Sequence, residues 1–214
     1  MNRLGDSYRY KNSTAKILKE GEIQRSINPA GGSSGGSHLV AASALYDAFV
    51  SAGNDVIARW RGDDDDVDSS AATVQPCRLV NCHTDDITDI AFSPFNDEIL
   101  ATAAKNAKLK LWSLSSSSSS SSSPPDNSPT LSISVDGPLS ALQWHPAASG
   151  VVTAAIDDGV SILDVEKAEV ALKMEPAAGA KIQSLSWGKL NGSLLATTSS
   201  DKMVGFVCWS LQLS

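Results

Sequence analysis

The side chains most able to do chemistry are few and lie far apart in this 214-residue sequence. The three histidines are His38, His83 and His145, and neither a nucleophile elbow nor a phosphate-binding glycine loop with lysine accompanies them. The three cysteines include no CxxC pair, a pattern that favours free thiols in a reducing compartment over zinc or disulfides. The aspartate run at 63–66 lacks the interleaved glycine and final glutamate of a calcium loop. These residue types predict no enzyme, no metal site and no cofactor.

Three stretches of the sequence repeat one order of strand, turn and strand. The first is 83–112, the second is 136–164, and the third begins at Ile182. Strands of the first stretch are predicted at 87–92, 99–103 and 109–112. Aligning Phe92 with Trp144 and Trp187 gives steps of 52 and 43 residues. A propeller blade repeats after roughly 40–45 residues, and the longer step holds the serine run 115–123, which has nothing to bury.

A small twisted sheet cannot cover both of its own faces, so a repeat of this kind implies neighbouring sheets. The sequence therefore predicts an all-β fold, a WD-repeat β-propeller that is incomplete, with about three to four blades. A repeat-built platform of this kind is typical of binding rather than of catalysis.

Buried hydrogen-bond relays often fix the geometry of such blades, because a buried polar group needs a partner. The relay joins a His near the start, a Ser and an Asp of a tight turn, and the Trp of the following strand. The first repeat has His83 and Trp112, with Asn106 at the Asp position and Ala104 at the Ser position. All are expected to be structural.

The second and third repeats keep less of the relay. Asp157 is present in the second, with Leu163 at the Trp position and no histidine before it. Asp201 is present in the third, with Val207 at the Trp position. We therefore expect these blades to depend on apolar packing more than on the relay.

Composition divides the chain into five parts. The predicted division is 1–80 for an N-terminal segment with a possible first blade, 81–114 for a blade, 115–130 for a Ser/Pro-rich insertion, 131–175 for a blade, and 176–214 for a partial blade with an aberrant end. Within the first part, 39–45 and 56–60 are predicted as two strands, with a turn at 53–55.

Charge is unevenly distributed. The net charge of −7 argues against general nucleic-acid binding, which depends on neutralising phosphates. No apolar run is long enough to span a bilayer, and the start is too polar for a secretory signal. By contrast, the sequence up to residue 21 is basic. That contrast fits either docking on an acidic protein surface or a merely solvated terminus.

The segment 7–12, SYRYKN, and the stretch 83–112, HTDDITDIAFSPFNDEILATAAKNAKLKLW, resemble the corresponding parts of coronins. The second stretch is most similar to the branch with two propellers in tandem. The resemblance implies a seven-bladed propeller that binds filamentous actin, in the cytoplasm and on the cytoskeleton, with a link to Golgi-related vesicle traffic. Other proteins are further expected partners on the propeller surface. The basic residues implied to contact actin are Arg9 and Lys11 first, then Lys16, Lys19 and Arg25.

Two departures from the coronin pattern are evident in the sequence. It stops inside the third clear repeat, and residues 205–214 do not continue the expected pattern, so a C-terminally truncated coronin is predicted. The alternative prediction is a generic WD-repeat scaffold, a subunit of a trafficking or ubiquitin-ligase complex.

Overall fold

The computed structural model describes residues 39–51, 54–60, 77–114, 128–157, 159–175, 180–189 and 192–208. These residues form four antiparallel sheets and no helix. Sheet 1 contains β1 (Val40–Ala42), β2 (Tyr46–Ser51), β3 (Asp55–Trp60) and β4 (Cys77–Leu79). Sheet 2 contains β5 (Ile87–Phe92), β6 (Ile99–Ala104), β7 (Lys108–Ser113) and β8 (Leu131–Ser134). Sheet 3 contains β9 (Leu139–Trp144), β10 (Val151–Ile156), β11 (Gly159–Asp164) and β12 (Glu169–Met174). Sheet 4 contains β13 (Ile182–Trp187), β14 (Leu194–Ser199) and β15 (Val204–Cys208).

Each sheet is a meander in which strands that follow one another in sequence pair side by side. The first strands of consecutive sheets also contact one another, β1 with β5, β5 with β9 and β9 with β13. Sheets that meet along their first strands are arranged like the blades of a propeller around its axis. The predicted all-β, incomplete propeller of about three to four blades is confirmed. Across the described ranges, nothing helical has the length and apolar character needed to cross a membrane.

Tight turns join the second and third strands of sheets 1, 2 and 4. In each of these turns one residue has a positive φ: Asn54 (62°), Ala107 (60°) and Lys202 (67°). A residue in this left-handed backbone conformation commonly closes a three-residue hairpin loop, such as the one at 105–107 that ends on Ala107. The turn predicted at 105–107 is confirmed. Of the turn predicted at 53–55, residue 53 lies outside the described residues, Asn54 is in a turn, and Asp55 already begins β3.

The first predicted strand, 39–45, is wrong as a single element. In the structure only residues 40–42 of this range form a strand, β1; a bend follows at 43–45, and β2 begins after it at Tyr46. Ser43 makes the bend, since its hydroxyl oxygen accepts hydrogen bonds from the backbone N–H groups of Leu45 and Tyr46. Such a side chain offers the backbone an alternative to the sheet ladder. The strand after the bend, β2, has the alternating burial of a half-buried strand.

The residues after Asp201 look irregular in sequence but form a regular strand in the structure. β15 pairs with β14 along its length, from Leu194 opposite Cys208 to Thr198 opposite Val204. The register also places Val207 opposite Leu195, the same relation that Trp112 has to Leu100 in sheet 2.

Each sheet has two faces, which we call the forward face, directed toward the next sheet along the chain, and the rear face, directed toward the previous one. The hydrophobic core lies between these faces. Between sheets 2 and 3, for example, Ala101 and Leu109 of the forward face pack against Val152 and Leu163 of the rear face. Burying a Leu side chain contributes about 1.5–3 kcal/mol. Two further apolar clusters join sheet 1 to sheet 2 and sheet 3 to sheet 4 in the same way.

Candidate functional site

One threonine joins two buried side chains in sheet 2. Thr102 Oγ1 on β6 lies 2.7 Å from His83 Nε2 and accepts a 3.0 Å hydrogen bond from the indole N–H of Trp112 on β7. All three side chains are buried on the rear face of the sheet. His83 precedes β5, so the relay ties the linker that enters the sheet to its second and third strands. The arrangement fixes one geometry, because His83 Nε2, Thr102 Oγ1 and the Trp112 indole N–H are paired with one another.

The hydroxyl of this relay is not where the repeat pattern placed it. Ala104 was the predicted Ser position, but Thr102 supplies the hydroxyl two residues earlier. Residues 102 and 104 of a strand share a face, so the face alone does not distinguish them. The position of Trp112 on the third strand selects Thr102. Trp112 lies opposite Leu100, and its indole N–H reaches Thr102, the next residue of β6 on the same face.

Asn106 lies in the turn where the relay pattern expects an aspartate. Its amide nitrogen donates a 3.0 Å hydrogen bond to Thr84 Oγ1. Its amide oxygen and His83 Nδ1 are buried atoms that make no well-formed hydrogen bond with the described residues. The asparagine thus supplies the polar shape of an aspartate without its charge, and the histidine has no anion to favour its protonated form.

Burial lowers the pKa of His83 to about 4, and the positive charge of Lys110 adds to this effect. The Asn106 side chain acts in the opposite direction but does not compensate. His83 is therefore neutral near pH 7 and serves as a structural group. Burial also raises the pKa of the neighbouring Cys82 thiol to about 11, which makes it a poor nucleophile at neutral pH.

We expect His83 to make the sheet acid-labile. In the unfolded chain its pKa is near the ordinary 6.5, whereas in the folded chain it is about 4. Between these two pH values the unfolded state binds a proton that the folded state does not bind, so the free energy of unfolding falls as the pH falls. The expected loss is about 2 kcal/mol between pH 6.5 and pH 5, measured by denaturant unfolding at a series of pH values.

Two variants control this measurement. His83→Gln removes the titrating group, so its stability should fall less steeply with acid over the same interval. Asn106→Asp introduces a carboxylate beside the ring and should raise the His83 pKa, observable as a shift in the imidazole NMR titration. An acid slope that is identical in wild type and His83→Gln would show that other groups cause the acid lability.

Polar side chains on the first strands link consecutive sheets. Asp89 Oδ2 accepts a 2.8 Å hydrogen bond from the backbone N–H of Leu142, and Gln143 Oε1 accepts one of 2.9 Å from the N–H of Trp187. The Trp187 indole N–H also donates to Thr153 Oγ1 at 3.1 Å. The residue patterns did not predict this role for Asp89 and Gln143. Their sequence signal is a polar residue inside an apolar first strand, the third residue of β5 and the fifth of β9.

His145 connects sheet 3 to the loop before β14. Its Nε2 donates a 2.8 Å hydrogen bond to the Gly192 carbonyl. Its Nδ1 accepts hydrogen bonds from the backbone N–H groups of Ala147 and Ala148, at 3.1 and 2.8 Å. The ring also packs edge-on against Trp187, with 4.6 Å between centroids. Both ring nitrogens are engaged in holding the backbone, so neither is available for proton transfer.

Asp157 and Asp201 lie at turns and do not join a buried relay. Asp157 forms an ion pair with Lys181, with 2.7 Å between Nζ and Oδ1. Asp201 accepts hydrogen bonds from the Ser199 hydroxyl and the Met203 N–H, which hold the pKa of Asp201 below its usual value. In sheets 3 and 4 the residues at the Trp112 position are Leu163 and Val207, whose side chains have no N–H group to donate to a relay there.

The basic residues implied to contact actin, Arg9, Lys11, Lys16, Lys19 and Arg25, lie outside the described residues. Within the described residues, two open grooves of about 310 and 330 Å³ are present. The first lies between sheets 3 and 4 and is mainly apolar, with Met174 and Ile182 in its wall. The second runs along the first strands and includes Asp89. In the same ranges, no three His, Cys, Asp or Glu side chains are placed to hold a metal ion.

Known proteins that are similar to this chain include coronins and a further WD-repeat protein. Residues 74–113 match the family model "WD domain, G-beta repeat". Coronin-7 of Bos taurus is 34% identical over 125 residues, 58% of this chain and 13% of Coronin-7. GATOR2 complex protein WDR59 of Gallus gallus is 27% identical over 123 residues, 58% of this chain and 12% of WDR59. Thus the chain spans about an eighth of the length of these relatives.

Among solved structures, the WD40 domain of Toxoplasma gondii coronin superposes with a TM-score of 0.64 and 26% identity. The match covers 79% of this chain and 42% of that chain. In both sequence and fold the chain is thus similar to coronins, the family that the residues at 83–112 resemble, and residues 74–113 match a WD repeat.

Proposed function

We propose that this chain belongs to a non-catalytic protein that binds filamentous actin and acts in organising the actin cytoskeleton. The similarity to coronins in sequence and fold carries the proposal. The structure is compatible with it, because the histidines and the buried cysteine that it describes have structural roles. His83 and His145 are engaged in hydrogen bonds, and the Cys82 thiol has a raised pKa.

The proposed contact with actin is electrostatic. Arg9 and Lys11 lie in the segment that resembles coronins, and Lys16, Lys19 and Arg25 follow it. This basic segment belongs to a chain whose net charge is −7, so it is the part suited to an acidic protein surface. Rim charges of this kind act mainly on association rate and salt dependence, and they need no chemistry at the contact.

Reversing the charge of Arg9 and Lys11 is expected to weaken binding to actin filaments about tenfold, which corresponds to about 1.4 kcal/mol. The measurement is co-sedimentation of the intact chain with filaments at several salt concentrations. The double variant Arg9→Glu, Lys11→Glu should also show a shallower dependence on salt, because fewer ion contacts remain to be screened.

The matched control is Lys189→Glu, Lys202→Glu, which makes the same change in net charge at two exposed turns of sheet 4. It should bind as the wild type does. Equal binding of the Arg9, Lys11 variant and the wild type, with both folded, would remove these residues from the proposal. Failure of the wild type to pellet with filaments would reject actin as the partner.

The second candidate function is that of a WD-repeat scaffold, a subunit of a trafficking or ubiquitin-ligase complex. The similarity to GATOR2 complex protein WDR59 favours it, at lower identity than the similarity to Coronin-7. A chain that does not pellet with actin but co-purifies with a fixed set of proteins at constant stoichiometry would support the scaffold function.

The proposed place of action follows from the coronin resemblance. It is the cytoplasm, on the actin cytoskeleton, and for the tandem-propeller branch it extends to Golgi-related vesicle traffic. Imaging the protein beside an actin stain and a Golgi marker separates these two locations.

A further inference from the structure

Three pairs in the sequence have an Asp or Asn directly before a glycine: Asp136–Gly137, Asp158–Gly159 and Asn191–Gly192. The backbone can rearrange at such pairs without an enzyme, because glycine has no Cβ to keep its amide nitrogen away from the preceding side chain. The structure describes all three glycines, and their surroundings differ. The surroundings of each glycine decide whether its amide nitrogen can reach that side chain in the folded chain.

The pair Asp136–Gly137 lies in the linker that joins sheet 2 to sheet 3. The Asp136 side chain is 83% exposed, and its ion pair with Lys173 is long, with 3.9 Å between Nζ and Oδ2. Among the described residues, none accepts a hydrogen bond from the Gly137 N–H. A Cβ placed on Gly137 would meet no atom within 4 Å. The carboxyl group and the amide nitrogen therefore have the freedom and the space to approach each other.

Hydrogen bonds hold Gly192 on both of its sides. Its N–H donates a 3.0 Å hydrogen bond to the Gly188 carbonyl, and its own carbonyl accepts one of 2.8 Å from His145. The amide nitrogen can attack only after the loop opens locally, so the rate falls with the population of the open state. An opening free energy of about 1.4 kcal/mol slows the reaction about tenfold. The fold around Gly192 therefore slows the rearrangement at Asn191, which itself lies outside the described residues.

The third glycine, Gly159, is held in a strand. It is the first residue of β11, pairs with Ile156 of β10 and is buried. A Cβ placed on it would clash with the Met174 carbonyl, so the backbone has little room to turn there. Rearrangement at Asp158, which lies outside the described residues, thus also requires the sheet to open locally.

We propose that Asp136–Gly137 is a modification site at which the backbone isomerises to isoaspartate without an enzyme. The Gly137 amide nitrogen attacks Cγ of the protonated Asp136 carboxyl group. A bond from nitrogen to Cγ forms, a Cγ–O bond breaks, and the oxygen leaves as water with the proton of the amide and that of the carboxyl group. A water molecule then adds to the main-chain carbonyl of the cyclic imide and breaks its bond to nitrogen. The chain now continues through Cγ, the former main-chain carbonyl is a free carboxyl group, and the mass is unchanged.

The rearranged linker has one more main-chain carbon between two anchored residues. Before it, the Val135 N–H donates a 2.9 Å hydrogen bond to the Ala107 carbonyl. After it, Leu139 is buried at the start of β9 and lies opposite Ile156. The open space around Gly137 can take up the extra carbon, so we expect the modified chain to stay folded. The new carboxyl group lies in the same exposed linker, where an enzyme that methylates isoaspartyl groups can reach it.

The test is to store the full 214-residue chain in neutral buffer, folded and in denaturant, and to follow all three pairs over time. Peptide mapping with fragmentation that distinguishes isoaspartate from aspartate gives the rate at each pair. At Asp136 the rate in the folded chain should be close to that in denaturant. At Asp158 and Asn191 the folded chain should react at least about tenfold more slowly than the denatured chain. Methyl transfer from S-adenosylmethionine by an isoaspartyl methyltransferase counts the modified sites independently.

Gly137→Ala is the matched variant, because its Cβ hinders the attack of the amide nitrogen and meets no other atom within 4 Å. It should fold as the wild type does and lose most of the isoaspartate at residue 136. His145→Ala removes a hydrogen bond from Gly192 and should bring the rate at Asn191 closer to its rate in denaturant. An Asp136 that stays unmodified in the folded wild type, or that isomerises equally in Gly137→Ala, would overturn the proposal. The same ratio of folded to denatured rates at all three pairs would overturn the selection of this pair by the fold.

Discussion

Replacing Thr102 with Val is expected to lower the free energy of unfolding by about 2–4 kcal/mol. Val has nearly the shape of Thr, so packing on β6 changes little. The hydroxyl, however, is the hydrogen-bond partner of both His83 Nε2 and the Trp112 indole N–H. Its removal leaves two polar groups buried between sheets 1 and 2 without this partner. Each buried group left unsatisfied costs about 1–3 kcal/mol.

Thr88→Val is the matched control for this prediction. Thr88 is also buried on a strand of sheet 2, but its hydroxyl only donates a 3.2 Å hydrogen bond to the Ala103 carbonyl. Its loss leaves no buried donor behind, so the expected change is within about 1 kcal/mol. Denaturant unfolding of the two variants under identical conditions makes the comparison. Equal losses would mean that Thr102 contributes no more than an ordinary buried hydroxyl.

Gly192→Ala is expected to destabilise the chain by about 2–3 kcal/mol. Gly192 has a φ of +62°, where a Cβ is strained, and that Cβ would clash with Cε1 of His145. The imidazole cannot easily withdraw, because its nitrogens hold the Gly192 carbonyl and the N–H groups of Ala147 and Ala148. Either the loop before β14 must shift, or the His145 side chain must move and break these hydrogen bonds.

Gly137→Ala is the matched control, since a Cβ at Gly137 meets no atom within 4 Å. It should change stability by no more than about 0.5 kcal/mol. The double variant Gly192→Ala, His145→Ala separates steric clash from backbone strain. If the clash dominates, the two substitutions together cost less than the sum of their separate effects. Strictly additive costs would show that His145 does not constrain Gly192.

The strands that the sequence predicted best are those of the second sheet. Alternating apolar residues at 87–92 and apolar runs at 99–103 and 109–112 match β5, β6 and β7 within a residue or two at each end. These strands have one face or both in the core, so their period of two is visible in the sequence. The same reason explains the prediction that Leu163 and Val207 stand at the Trp112 position.

The outer strands β4, β8 and β12 were not predicted. Each lies at the edge of its sheet, where side chains are largely exposed and the core imposes little pattern. Glu169–Met174 of β12, for example, has exposed or half-buried side chains throughout. Such strands are ordered by backbone pairing with a neighbour, and backbone pairing leaves only a weak trace in the side chains.

The sequence by itself determined an all-β repeat, the order of its strands and the residues that stand at equivalent positions, because these depend on local alternation and on turns. The tertiary structure alone decided which polar groups meet. It placed Thr102 rather than Ala104 in the relay, and it brought His145 to Gly192. It also brought Asp89 to the N–H of Leu142, 53 residues away. Contacts of this range depend on how one sheet lies on the next, and no periodicity within a single strand records that.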